Sequence, residues 1–188
     1  CQRKLPDQEL YGLDLSSWRV AFNGAEPVSA HTIEAFASRL APYGMRSEAI
    51  MPVYGLAECS VGLTFPPLNR GPLIDVISRE RFMNTGTAEP APAGTSEVSA
   101  LRVVSCGRPL PGHQIRILDS TGSEVGDRVE GRLEFKGPSA TTGYFRNPEQ
   151  TRKLFHGDWL DSGDFAYIAN SEVYITGRVK DLIIRGGR

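Results

Sequence analysis

Residues 18–54 read WRVAFNGAEPVSAHTIEAFASRLAPYGMRSEAIMPVY. Trp18-Arg19-Val20-Ala21-Phe22 is a short strand candidate, closed by the turn-forming pair Asn23-Gly24. Ser29 stands where a helix N-cap belongs, and between Ala30 and Leu40 the residues Ile33, Phe36, Ala37 and Leu40 recur at helical spacing. Pro42 and Gly44 stop that helix. Ile50-Met51-Pro52-Val53-Tyr54 is the next apolar run. Neither strand candidate alternates polar with apolar residues. A strand, a helix and a second strand of that kind make a parallel β-α-β unit covered by helices on its faces. The expected fold class is therefore α/β, beginning with the end portion of a doubly wound parallel sheet.

Working outward, the pattern changes twice. Residues 66–100 are richer in Pro, Gly, Ser and Thr. Leu73 to Met83 is expected to hold a strand and a short helix, and Asn84 to Ser99 reads as a solvated loop. From Leu101 onward short strand candidates follow one another, at 101–105, 113–118, 131–136, 165–169, 172–176 and 181–185. Turns such as Asp119-Ser120-Thr121-Gly122 separate several of them, and one helix is expected from Pro148 to Phe155. This second pattern predicts a small antiparallel sheet or distorted β-barrel subdomain. The expected boundaries are 1–68 for the α/β part, 69–100 for the connecting segment, 101–180 for the antiparallel part and 181–188 for a hinge.

Composition sets the outer limits. The chain has 188 residues, 40% of them hydrophobic and 23% charged, which suffices for a sizeable core. A formal net charge of -1 with no basic run gives no sign of a nucleic-acid partner. No apolar stretch is long enough to span a bilayer. Cys1, Cys59 and Cys106 are too widely spaced for a disulfide framework or a zinc site, which fits reduced thiols in a cytoplasmic protein. The chain starts on Cys1 and stops at Gly186-Gly187-Arg188 directly after an apolar run. Both ends read as cuts in a longer parent.

Four clusters carry candidate chemistry. Asn23-Gly24-Ala25-Glu26-Pro27 follows a strand and precedes a helix, at the sheet edge where α/β proteins bind ligands. Glycine there lets a flat ring approach the backbone, although a plain strand-to-helix turn has the same composition. In Tyr54-Gly55-Leu56-Ala57-Glu58, Tyr54 can stack on a nucleobase. Glu58 offers a hard oxygen suited to a magnesium ion shared with phosphates, or is an ordinary surface carboxylate. Asp158-Trp159-Leu160-Asp161-Ser162-Gly163-Asp164 reads as a short acidic turn. Asp164, just before an apolar strand, is its best candidate for a role, since one carboxylate can accept both hydroxyls of a ribose. A paired-carboxylate hydrolase site is the competing reading of that segment. Ile175-Thr176-Gly177-Arg178-Val179-Lys180-Asp181 offers the planar fork of Arg178 for a ribose hydroxyl or phosphate, or is a charged turn. His31, His113 and His156 lack ligand spacing. Cys59 has no evident histidine partner and reads as a packed thiol.

In this order the clusters resemble the acyl-adenylate-forming superfamily, which includes acyl-CoA synthetases, fatty-acyl-AMP ligases, peptide-synthetase adenylation domains and firefly luciferase. The matching segments are NGAEP (23–27), YGLAE (54–58), GRLEFKGPSATTGYFRNPEQT (131–151), DWLDSGDFAYI (158–168) and GRVKDLIIRGGR (177–188). The resemblance implies that Gly24, Ala25 and Glu26 line an adenine site and that Tyr54 stacks on the ring. Gly55 and Leu56 would border the acyl or adenylate pocket, and Glu58 would hold Mg2+. Asp164 would bind ribose hydroxyls, Ile175 would pack near the adenine and Arg178 would reach ribose or phosphate. Lys180 would fall at a hinge about which a C-terminal domain rotates.

The implied reaction joins a fatty or other carboxylic acid to ATP, giving acyl-AMP and pyrophosphate. The acyl group then passes to coenzyme A or to the phosphopantetheine of an acyl carrier protein. NGAEP, YGLAE and SCGRPLPGHQIRIL (105–118) look closest to fatty-acyl-AMP ligases. An acyl-CoA synthetase and an amino-acid adenylation domain are the rivals within the class. A non-catalytic nucleotide-binding or docking module and a purely structural β-barrel are the rivals outside it. Ala57 stands where many members of the superfamily have a phosphate-binding threonine. The Ser/Thr/Gly-rich phosphate loop and the C-terminal lysine of the superfamily lie outside the sequence, so residues 1–188 alone are expected to be inactive and poorly soluble.

Overall fold

The computed structural model describes residues 6–179, and its first third follows the sequence pattern closely. Strand β1 (Ala21–Asn23), helix α1 (Ala30–Leu40) and strand β2 (Ile50–Pro52) form one crossover unit. β1 and β2 pair in parallel, with Ala21 opposite Ile50 and Asn23 opposite Pro52. Ser29 caps α1, its hydroxyl accepting the Thr32 amide at 3.3 Å. The helix buries Ala30, Ile33 and Leu40 against Leu10, Met45, Ile50 and Val104. β1 starts later than expected because Trp18 serves the core instead: its ring packs on that same cluster and its indole N–H donates to the Val20 carbonyl at 2.9 Å.

The middle segment holds more order than its composition suggests. Strand β3 (Thr64–Phe65) precedes β4 (Ile74–Ser78), and Ser78 caps helix α2 (Arg79–Thr85). Residues 84–99, expected to be a solvated loop, begin inside α2. They then bury Ala88 completely, against Ile77, Tyr167, Ala169 and Tyr174. Gly86, at φ +65°, turns the chain out of α2 so that this burial is reached.

The antiparallel part contains β5 (Ala100–Val104), β6 (Arg108–Pro109), β7 (Gln114–Leu118), β8 (Gly131–Lys136), helix α3 (Pro148–Leu154), β9 (Phe155–His156), β10 (Trp159–Ala169) and β11 (Glu172–Arg178). Its main sheet runs β11-β10-β8-β7, with β9 alongside β10. Among the described residues the sheet is open, which corrects the expectation of a barrel. Its two edges are capped by different segments rather than paired with each other. On the β7 side the turn 119–125 folds back, and Val125 donates to the Ile117 carbonyl at 2.9 Å. On the β11 side Cys106 and Gly107 exchange bonds of 2.8 Å with Val173. One face of the sheet buries Ile117, Leu133, Phe135, Leu160, Ala166 and Val173, and onto this core pack Tyr54 and Leu56 from the loop after β2.

The acidic segment 158–164 is mostly strand rather than turn. β10 runs through Trp159–Ala169, and its register against β8 shifts between Asp161 and Phe165. This bulge is built by side chains. The Asp161 carboxylate accepts the Gly163 amide at 2.9 Å, and Ser162 donates to the Leu133 carbonyl at 2.7 Å. Gly163 sits at φ +74°. Three residues, 162–164, stand opposite Leu133 alone, and a bulge of this kind bends a strand and re-aims the side chains beside it.

Candidate active site

The two loops that leave the carboxyl ends of β1 and β2 stay together. Val53 donates to the Asn23 carbonyl at 2.9 Å. A Cβ on Gly24 would lie 2.8 Å from the Val53 carbonyl oxygen, so the close approach needs glycine. Ala25 follows at φ +68°, and both it and Glu26 are exposed. Tyr54 then ties the next loop closed, its carbonyl accepting the amides of Leu63 and Thr64 at 3.0 and 2.9 Å. Gly55 is packed so tightly that a Cβ would fall 1.7 Å from the Val61 carbonyl oxygen. Leu56 packs on the core, and Ala57–Cys59 forms a short 3-10 turn.

Three of the candidate residues meet at one carboxylate. The Tyr54 hydroxyl donates to Asp164 Oδ2 at 2.6 Å across 110 residues of sequence. Arg178 Nε lies 3.2 Å from Asp164 Oδ1, the two residues facing each other across β10 and β11. The Asp164 amide donates to Ser162 at 3.1 Å, so the bulge aims the carboxylate. The Asp164 side chain is 7% exposed and that of Arg178 is 68% exposed. The arrangement is a buried acceptor with an exposed cation beside it. Burial, then the Asp164 charge and hydrogen bond, push the Tyr54 phenol far above its ordinary pKa, so it stays a neutral donor. Ile175, opposite Ala166 on β11, packs against the core that also takes Tyr54 and Leu56.

Glu58 is held apart from that cluster. Its Oε1 accepts the Tyr144 hydroxyl at 2.5 Å, and its backbone carbonyl accepts the Thr141 amide at 2.7 Å. Ser139 donates to the Cys59 carbonyl at 2.9 Å, and Ser60 donates to the Ser139 carbonyl at 3.2 Å. The segment 137–144 therefore lies as a strap over the turn that carries Glu58. Tyr144 is not among the site residues the sequence suggested, although it lies in the matching segment 131–151. No local signal could have exposed it, because its partner is 86 residues away.

The donor set limits what cation Glu58 could hold. Among the described residues there is no group of three or more His, Cys, Asp or Glu side chains able to hold a metal. A lone hard carboxylate does fit the way Mg2+ is commonly bound, through one or two carboxylates plus the phosphates of a substrate. Lys180 lies outside the described residues. Cys59 is fully buried, its thiol pushed up by burial, and Cys106 is pushed up to about 12 for the same reason. Neither suits a nucleophile. No described helix is long and apolar enough to cross a membrane.

The chain as a whole is similar to known proteins. Residues 2–145 match the family described as "AMP-binding enzyme". The medium-chain-fatty-acid–[acyl-carrier-protein] ligase JamA of Moorena producens is 34% identical over all of this chain and 33% of its own length. A structure from work on fatty acyl-adenylate ligases from E. coli and L. pneumophila superposes with a TM-score of 0.90 at 37% identity, over all of this chain and 34% of that one. A fatty acyl-adenylate ligase from L. pneumophila, solved with acyl adenylate and pyrophosphate, gives a TM-score of 0.86 at 31% identity, over 97% of this chain and 33% of that one. The chain thus spans about a third of the length of the relatives it matches.

Proposed function

We propose, since the chain belongs to the AMP-binding enzyme family, that it forms part of an enzyme converting a fatty acid and ATP to acyl-AMP and pyrophosphate. The acyl group would then move to the phosphopantetheine thiol of an acyl carrier protein, or to coenzyme A. The observation that carries this reading is the convergence of Tyr54 and Arg178 on the Asp164 carboxylate. A nucleotide-binding site needs a fixed acceptor for ribose hydroxyls with an aromatic and a cation beside it, and motifs far apart in sequence supply all three here.

In the proposed reaction a fatty-acid carboxylate attacks the α-phosphorus of ATP, one P–O bond forms, and the bond to pyrophosphate breaks. Both reactants are anionic, so the barrier falls when positive charge is prepositioned where negative charge develops. Mg2+ bound with the phosphates would neutralise part of that charge, and Glu58 is the residue that would hold it. Asp164 positions the ribose through the lone pairs left by Tyr54 and Arg178. Arg178 is exposed enough to turn from Asp164 toward ribose or phosphate. Gly24 to Glu26, beside Val53, would border the adenine together with Tyr54 and Ile175. These contacts act mainly by orientation.

The acceptor is read as a carrier protein because the segments 54–58 and 105–118 look most like the fatty-acyl-AMP ligases. JamA, a fatty-acid–[acyl-carrier-protein] ligase by name, aligns over the whole chain. The test is to incubate the full-length protein with labelled fatty acid, ATP and Mg2+, with and without coenzyme A, and to separate the products. Acyl-AMP that persists in coenzyme A supports the carrier-protein reading. Acyl-CoA makes the protein a synthetase. Neither product, over several chain lengths, overturns the proposal.

A further inference from the structure

Tyr144 is 41% exposed, so its hydroxyl could be satisfied by water alone. It instead points at Glu58 Oε1, and the strap that carries it is fixed at both ends. At one end His113 lies 2.7 Å from the Ser139 hydroxyl, which in turn donates to the Cys59 carbonyl. Gly137 permits this, since a Cβ there would meet the His113 ring at 2.2 Å. At the other end the Tyr144 amide donates to Thr151 Oγ1 on α3 at 2.9 Å, and a Cβ on Gly143 would press into Thr151 at 2.5 Å. Tyr144 is therefore aimed by the backbone on either side of it and not by burial of its ring.

We infer that Tyr144 is a positioning residue for Glu58, orienting the carboxylate toward a divalent cation; the inference rests on the functional reading above. A carboxylate on a flexible side chain samples several rotamers, and one donor held in place selects among them. An ionised carboxyl has about four lone-pair sites. The Tyr144 hydroxyl takes one on Oε1 and leaves the rest for a cation. The Thr141 bond to the Glu58 carbonyl fixes the backbone beneath, so both ends of the side chain are set by the same strap.

The test uses the full-length protein and the variants Tyr144→Phe and Glu58→Gln. Mn2+ binding is followed by electron paramagnetic resonance with a non-hydrolysable ATP analogue. The Mg2+ dependence of fatty-acid-dependent pyrophosphate exchange is measured in parallel, together with the melting temperature. For Tyr144→Phe the Mn2+ Kd and the Mg2+ half-saturation should each rise about three- to tenfold, the size expected for loss of one ordinary, partly exposed hydrogen bond. The fatty-acid KM and the melting temperature should stay unchanged, which a merely structural role would not allow. Unchanged or tighter Mn2+ binding in Tyr144→Phe, with binding lost in Glu58→Gln, overturns the role of Tyr144. Intact Mn2+ binding in Glu58→Gln overturns the premise that Glu58 is a ligand. A failure to form acyl-AMP at all counts against the proposed reaction, and the Mn2+ titration still decides the role of Tyr144.

Discussion

Asp164 shows how one side chain is made into a site. It is buried and would be costly as a bare charge, yet Tyr54 and Arg178 each satisfy one of its oxygens. Tyr54→Phe removes the donor without changing shape. A hydrogen bond to a charged group contributes about 1.5–3 kcal/mol, so chemical denaturation should show a loss of about that size. Asp164→Asn should raise the KM for ATP about tenfold or more in pyrophosphate exchange while altering kcat less, as expected of a binding contact. Asp164 and Arg178 were legible in the sequence because Asp164 directly precedes the apolar run from Phe165 and Arg178 ends the strand that carries Ile175, and a charge beside an apolar run asks for a purpose. The place of Glu58, in a glycine-containing turn after a strand, was legible for a similar reason. Tyr144 was not, since a tyrosine after Gly143 reads as an ordinary turn residue until the fold brings Glu58 to it.

At the level of elements, the runs that carry a pattern of their own formed, the short strand candidates of the antiparallel part included, and the sequence held no sign of the shortest pairings. α1 formed over 30–40 and β8 over 131–136 as their patterns require. β3, β6 and β9 are two residues long. They exist because a partner backbone runs beside them, which no local pattern encodes. The acidic segment was misread for a related reason: Ser162, Gly163 and Asp164 have turn composition, but they form a bulge inside a strand that continues past them. The loop between β2 and β3 gives the sharpest test of local packing. Gly55→Ala would place a methyl group 1.7 Å from the Val61 carbonyl oxygen. The loop must then open, displacing Tyr54 and Glu58 together. Acyl-AMP formation should fall more than a hundredfold, roughly 3 kcal/mol on the barrier, with a lowered melting temperature. An active, normally stable Gly55→Ala protein would contradict the close approach.

At the scale of the whole molecule, the parts are joined by buried charge as well as by apolar cores. Glu172, 1% exposed, accepts from Arg70 at 2.7 Å, from Arg108 at 2.9 Å and from Ser105 at 2.6 Å. Burial opposes its ionisation, but these donors outweigh burial and hold its pKa below the usual carboxylate value. A depressed pKa contributes stability that is fully present above the unfolded-state value of about 4.3 and is lost as pH falls through the folded value. The urea midpoint should therefore be nearly flat from neutral pH down to about 5 and decline below about 4. Glu172→Gln should start lower and lose part of that decline. The bulge in β10 has a different consequence, one of error containment. Sliding a strand by a single residue turns every side chain to the opposite face. Because the pairing with β8 is reset between Asp161 and Phe165, a slip or length change near 155–161 has a place to be absorbed. The facing of Asp164 and Arg178 is insulated from variation on the far side of that break, so the outer part of the sheet is free to diverge while the two residues keep their partnership.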